Sequence, residues 1–173
     1  MFSRQSARRV RQGALGFVGA AALVVSMAAT AAPASADPPG ANGTVKIDGV
    51  PFDTAPDNEP HVGCRFQVDF YGFDAGDFHA DVTFAVQPPT GQFVDIRSDT
   101  VFIGEDAAGG GTDLDAQRTY DLTSALASYS PHPQQGYHVK LSVAAPGVGG
   151  KVATKSKVFW VGPCESYPPP YPS

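Results

Sequence analysis

The chain lacks the sequence signatures of the common catalytic sites. It has no Gly-x-Ser-x-Gly nucleophile elbow, no Ser-x-x-Lys, no phosphate-binding glycine loop and no His-Glu-x-x-His zinc pattern. Its seventeen acidic residues leave open a pair of facing carboxylates of the kind that glycosidases use. Since small single domains without a catalytic motif more often bind or support than catalyse, we predict a protein that is not an enzyme.

Cysteine is scarce, because Cys64 and Cys164 are the two that the chain contains. They are too far apart for the Cys-x-x-Cys spacing of redox and zinc sites. In an exported chain such a pair is normally bonded. The bridge would close a loop of 100 residues, which stabilises a fold by about 4–5 kcal/mol in the chain-entropy model.

The N-terminal 36 residues have the pattern of a secretory signal peptide. Four arginines precede an apolar stretch at residues 13–32, and Ala34-Ser35-Ala36 forms a small-x-small cleavage site. This site favours cleavage over retention as an anchor, and so we expect no stable membrane insertion of the mature chain. We therefore predict a secreted protein, either extracellular or loosely associated with the cell envelope.

The remaining chain is acidic. All seventeen acidic residues lie at or after Asp37, against eight of the twelve basic residues, which gives a net charge of −9. Such a charge repels nucleic acid, and we expect no nucleic-acid partner. Residues 37–164 are enough for one domain with a core, and the proline-rich residues 165–173 are expected to form a disordered tail.

Short runs of alternating apolar and polar residues, separated by Gly, Pro, Asp and Asn, predict β-strands. In residues 64–71, for example, Phe66, Val68 and Phe70 fall on one face. Residues 123–129 are predicted to form a turn of helix. About seven strands at this spacing indicate an all-β sandwich of two antiparallel sheets. The predicted strands are 44–50, 64–71, 79–87, 93–103 as one or two strands bent around Ser98-Asp99, 119–122, 135–144 and 155–161.

One segment makes the prediction more specific. Tyr120 is followed by a connection that contains Leu126, then by Pro131 and Pro133, and then by Tyr137 at the start of a strand. This order resembles the corner between strands E and F of immunoglobulin and fibronectin type III domains. The resemblance implies an immunoglobulin-like sandwich in which Tyr137 is the structural corner tyrosine. An ordinary half-buried tyrosine is the alternative.

Segments 43–46, 60–64, 68–73, 136–141 and 157–161 together resemble small secreted proteins of actinobacteria that carry a single immunoglobulin-like or fibronectin III-like domain. Some of those proteins look wall-anchored through a sorting signal. This chain ends without an LPxTG-like motif or an apolar tail. The resemblance therefore implies free secretion or a loose association with the envelope.

A glycine-rich acidic loop is the candidate metal site. Its carboxylates, which could supply the hard oxygen ligands that calcium prefers, are Glu105, Asp106, Asp113 and Asp115. The EF-hand pattern is absent, and a solvated loop without an ion is the alternative. No other cofactor is expected.

Residues 157–161 are apolar on both faces of the predicted strand, and so alternation does not tell which face is buried. We predict Trp160 in the core. The other set would meet a neighbouring segment or lie exposed, and if Phe159 and Val161 are exposed they form a candidate interaction patch for a protein partner.

Two functional hypotheses follow. The first is a non-enzymatic interaction or structural module with an unknown extracellular protein or envelope component as its partner. The second is an extracellular ligand-binding domain for calcium or carbohydrate that uses the acidic loop.

Overall fold

The computed structural model describes residues 42–54, 58–105 and 113–164, which belong to one compact unit, Ala34–Ser173. The predicted signal peptide, residues 1–36, and the predicted tail, residues 165–173, lie outside the described residues. Within the described ranges, no helix is long and apolar enough to span a bilayer. Export, cleavage and the disordered tail therefore stay predictions.

Eight strands and one short helix, α1 (Thr123–Leu126), form the described part of the chain, together with a 3-10 turn at Val148–Gly150. The all-β prediction is confirmed, with one strand more than expected. The strands are β1 (Thr44–Asp48), β2 (His61–Val62), β3 (Arg65–Tyr71), β4 (His79–Val86), β5 (Val94–Phe102), β6 (Leu114–Asp121), β7 (Tyr137–Pro146) and β8 (Val152–Val161).

The strands form two sheets, one with the order β1-β3-β6 and one with the order β2-β8-β7-β4-β5. All pairs are antiparallel except β2 and β8, which are parallel, and so the prediction of purely antiparallel sheets is wrong at this edge. The chain leaves β1 in the first sheet and reaches the second beside the last strand, where the Trp160 amide donates to the Pro60 carbonyl (2.9 Å). A strand of two residues has no alternation that a sequence could reveal.

The hydrophobic core lies between the two sheets. Phe66 of β3 is at its centre, and its ring centroid lies 5.6 Å from that of Phe84 and 5.3 Å from that of Phe159. Tyr120 of β6 completes this cluster, 4.7 Å from Phe84. Two of these rings come from each sheet, and their edge-to-face packing is the favoured geometry for aromatic pairs. The alternation seen in the sequence thus corresponds to the inner faces of the two sheets.

Two strands differ from their predicted form. The strand β5 pairs with β4 without a break at Ser98 and Asp99, where the bend was predicted. The register shift lies two residues earlier, at Ile96 of β5, which has no register partner in β4. The strand β6 is twice as long as predicted. Its consecutive residues 117–119 are all exposed, which hides the alternation, and its pairing with β3 defines the strand instead.

The predicted disulfide between Cys64 and Cys164 is confirmed, with a Cα–Cα distance of 5.1 Å. Cys64 immediately precedes β3 in the three-stranded sheet, whereas Cys164 follows β8 in the five-stranded sheet. The bond therefore ties the two sheets together.

Candidate functional site

The last strand presents its faces in the opposite sense to our prediction. Phe159 and Val161 are 1% and 0% exposed and belong to the core, so they do not form an interaction patch. Trp160 lies between them and therefore faces away from the core, where it is partly exposed. Packing decides this orientation, because Phe159 fits against Phe66 in the central aromatic cluster.

Trp160 lies in a row of side chains that crosses three neighbouring strands. Its register partners are His61 on β2 and His138 on β7. The ring of His138 stacks on the indole at a centroid distance of 4.4 Å and an angle of 22°. His132, from the segment before β7, approaches the indole at 5.9 Å and 57°. We call these four residues the Trp160 cluster.

Hydrogen bonds hold all three histidine rings. His132 Nδ1 accepts one from the Gln134 amide (3.3 Å). His138 Nδ1 donates to the Pro88 carbonyl (2.7 Å), and the amide of His138 donates to Thr90 Oγ1 (2.7 Å). His61 Nε2 donates to the side-chain oxygen of Gln135. Held rings lose little conformational entropy on binding, and so the cluster is preorganised.

A cavity of about 370 Å³ adjoins the cluster, and its wall is formed by residues 131–137 and 162–164. The bridge between His132 and Gly136 closes one side, with backbone hydrogen bonds of 2.8 and 3.0 Å. Proline, glutamine and aromatic side chains line this cavity, with no Asp, Glu, Lys or Arg among its described residues. Such a lining favours an uncharged ligand or an apolar side chain of a partner.

Tyr137 is the first residue of β7, and its ring is half-buried against the core and forms part of the cavity wall. Its main chain pairs with Val161 at the end of β8. The role of Tyr137 as a corner tyrosine stays a prediction.

The acidic loop is described only in part, because Asp106 lies outside the described residues. Glu105 is exposed and Asp113 is half-buried. Asp115 is buried at the start of β6, where its Oδ2 accepts a hydrogen bond from the Phe73 amide (2.9 Å). This carboxylate thus helps to hold the turn after β3. Calcium binding by the loop stays a prediction.

Three other carboxylates meet in the connection between β1 and β2. One oxygen each of Asp48, Asp53 and Glu59 lies within 4.8 Å of the other two, an arrangement that could hold a metal ion. The sequence reasoning missed this group because its spacing of five and six residues matches no common metal-binding pattern. It also missed the Trp160 cluster. Correct alternation in β8 would have put Trp160 on the outer face, as it did His138, whereas the pairing of the two residues depends on the register of the strands.

Comparison of the chain with protein-family models, with curated protein sequences and with solved structures finds no match. The geometry of the described residues is therefore the basis for the functional proposal.

Proposed function

We propose that this chain is a non-enzymatic, exported binding module with an immunoglobulin-like fold. The order of the strands supports the fold. Strands β1, β3 and β6 correspond to strands A, B and E of that fold, whereas β4, β7 and β8 correspond to C, F and G in the opposite sheet. The disulfide supports export, because such bonds persist in oxidising compartments.

The outward position of Trp160 is the observation that carries the proposed function. Tryptophan is among the residues most enriched in binding hot spots, where truncation to alanine often weakens binding by about 2 kcal/mol or more. Here the indole lies on a sheet face among histidines held by hydrogen bonds, one of which, His132, also lines the neighbouring cavity. We infer that this surface contacts an extracellular protein or another envelope component.

Retention on isolated cell envelopes of the producing organism tests the proposal. The tagged full chain is compared with Trp160→Ala and with a matched control, Val152→Ala, which alters a 57% exposed residue of the same strand. We expect Trp160→Ala to reduce retention about thirtyfold, the equivalent of a 2 kcal/mol hot spot, and Val152→Ala to leave it unchanged. Equal retention of all three proteins would refute the proposed surface.

A neutral envelope carbohydrate is the second candidate ligand, because the cavity combines aromatic and uncharged polar groups. Protease treatment of the envelopes before the assay separates the two candidates. Loss of retention identifies a protein partner, whereas unchanged retention identifies a carbohydrate.

A further inference from the structure

We propose that Asp48, Asp53 and Glu59 form a calcium-binding site in the connection between β1 and β2. This site is separate from the glycine-rich acidic loop and independent of the proposed partner surface. We call these three residues the β1–β2 acid cluster. A cluster of acidic side chains alone does not indicate a metal site, and the proposal depends on how Asp48 is placed.

Asp48 is the last residue of β1, and it is 0% exposed. Its Oδ2 accepts a hydrogen bond from the Asp53 amide (2.9 Å). Its Oδ1 is buried too, and no residue in the described ranges donates a hydrogen bond to it. A buried carboxylate oxygen without a donor is unfavourable, because it has lost its water without a replacement. A cation between the three carboxylates would supply the missing partner.

The backbone holds the other two acids against Asp48. Glu59 Oε2 accepts a hydrogen bond from the Gly49 amide (3.1 Å), and the Glu59 amide donates to the Ile47 carbonyl (2.9 Å). A Cβ at position 49 would lie 2.4 Å from Glu59 Oε2, so that a larger residue there would displace the end of this side chain. The carboxylates are therefore brought together by the local fold rather than by chance contact of exposed side chains.

The charges around the cluster also favour a cation. The ion pairs within the described residues are His79–Asp77 and Arg118–Asp99, and neither includes a member of the cluster. Asp69 of β3 is a further buried carboxylate near Asp48. Burial raises the pKa of Asp69 most, and the negative charge of Asp48 raises it further. Lys46 acts in the opposite direction on Asp69. No basic side chain in the described ranges therefore forms an ion pair with the three carboxylates of the cluster.

Calcium fits this geometry better than magnesium. Calcium binds oxygen at 2.3–2.6 Å with six to eight ligands and tolerates irregular geometry. Two oxygens on opposite sides of such an ion are therefore about 4.6–5.2 Å apart, which accommodates the 4.8 Å limit within the cluster. Magnesium requires a tighter and nearly ideal octahedron. Water and main-chain oxygens would complete the coordination shell.

Thermal unfolding and calorimetric titration of the full chain with calcium chloride test the site. Extracellular calcium modules bind with Kd of about 10⁻⁴–10⁻³ M. At about 10 mM calcium we expect a rise in Tm of roughly 5–10 °C and a binding stoichiometry of one. Sodium chloride at the same ionic strength controls for screening of the carboxylates, and magnesium chloride should give less than half of the rise.

Asp48→Asn gives the sharpest test because it keeps the shape and the Oδ acceptor for the Asp53 amide. We expect a higher Tm than wild type without calcium, since a buried charge is removed, and a calcium response no larger than that of sodium chloride. Asp113→Asn, in the glycine-rich acidic loop, is the matched control and should keep the wild-type response. If Asp48→Asn does not fold, Asp53→Asn and Glu59→Gln replace it.

Two outcomes would overturn the proposal. The first is a wild-type protein that releases no heat with calcium and whose Tm rises no more than in sodium chloride. The second is a calcium response that survives Asp48→Asn and disappears in Asp113→Asn, which would place the ion in the glycine-rich acidic loop.

Discussion

Removal of the Cys64–Cys164 disulfide is the perturbation whose magnitude follows most directly from the structure. The bond closes a loop of 100 residues that contains strands β3 to β8, and so it constrains almost the whole unfolded domain. In the chain-entropy model a loop of this length contributes about 4.7 kcal/mol. Domains are stable by about 5–15 kcal/mol in total. We therefore expect the bond to supply a third or more of the free energy of unfolding.

The double replacement Cys64→Ala and Cys164→Ala removes the bond without placing a hydroxyl group at the buried position 64. Equilibrium unfolding in urea should show a loss of about 4–5 kcal/mol, and thermal unfolding a fall in Tm of roughly 15–20 °C. Wild-type protein unfolded in the presence of a reductant is the control and should match the variant. A loss below about 1 kcal/mol in both experiments would show that the bond does not constrain the unfolded chain in this way.

Three further substitutions test the core, a buried charge and a strained turn. Phe66→Ala should destabilise the fold by about 3–5 kcal/mol in urea, because it empties the centre of the aromatic cluster. Asp69→Asn should stabilise the fold at pH 7, because burial raises the pKa of Asp69 and so disfavours its charged form. The neutral carboxyl group contributes stability that is fully present below the unfolded pKa and is lost as the pH rises through the folded pKa. This gain should vanish below pH 3.8, and a gain that is the same at pH 3 and pH 7 would contradict the assignment. Gly136→Ala should lose more stability than Gly149→Ala, because a Cβ at Gly136 (φ +87°) would meet the Val161 carbonyl, whereas Gly149 (φ +78°) has open space around it. We expect a loss of about 1 kcal/mol for position 149 and about 2 kcal/mol more for position 136. Equal losses would refute the close approach of Gly136 to Val161.

Much of the fold was predictable because burial on one face of a strand leaves a period of two in the sequence. In β4, for example, Ala80, Val82 and Phe84 are buried and alternate with exposed or half-buried residues, and this strand and the disulfide were predicted correctly. Prediction failed where alternation is missing. β2 is too short to alternate, and β6 owes its length to pairing with β3, because its residues 117–119 are all exposed.

The candidate site was harder to predict because it depends on contacts between distant segments. Trp160 and Phe159 are both large and aromatic, and only the fit of Phe159 against Phe66 decides which one is buried. The Trp160 cluster joins three strands, and the register between them is a property of the fold. Likewise, no local feature of the sequence distinguishes Asp48 from the other sixteen acidic residues, whereas in the fold it is fully buried and accepts a hydrogen bond from the Asp53 amide.

Collisional quenching of tryptophan fluorescence by acrylamide tests the central claim, the outward position of Trp160, most directly. Trp160 is the single tryptophan of the chain, and so the signal reports one side chain. We expect acrylamide to quench the fluorescence of the native full chain to a substantial fraction of the quenching seen in urea. Phe159→Leu, which alters the core beside Trp160, is the control and should be quenched to the same extent. A native protein that resists quenching until it unfolds would place the indole in the core and contradict the proposed binding surface.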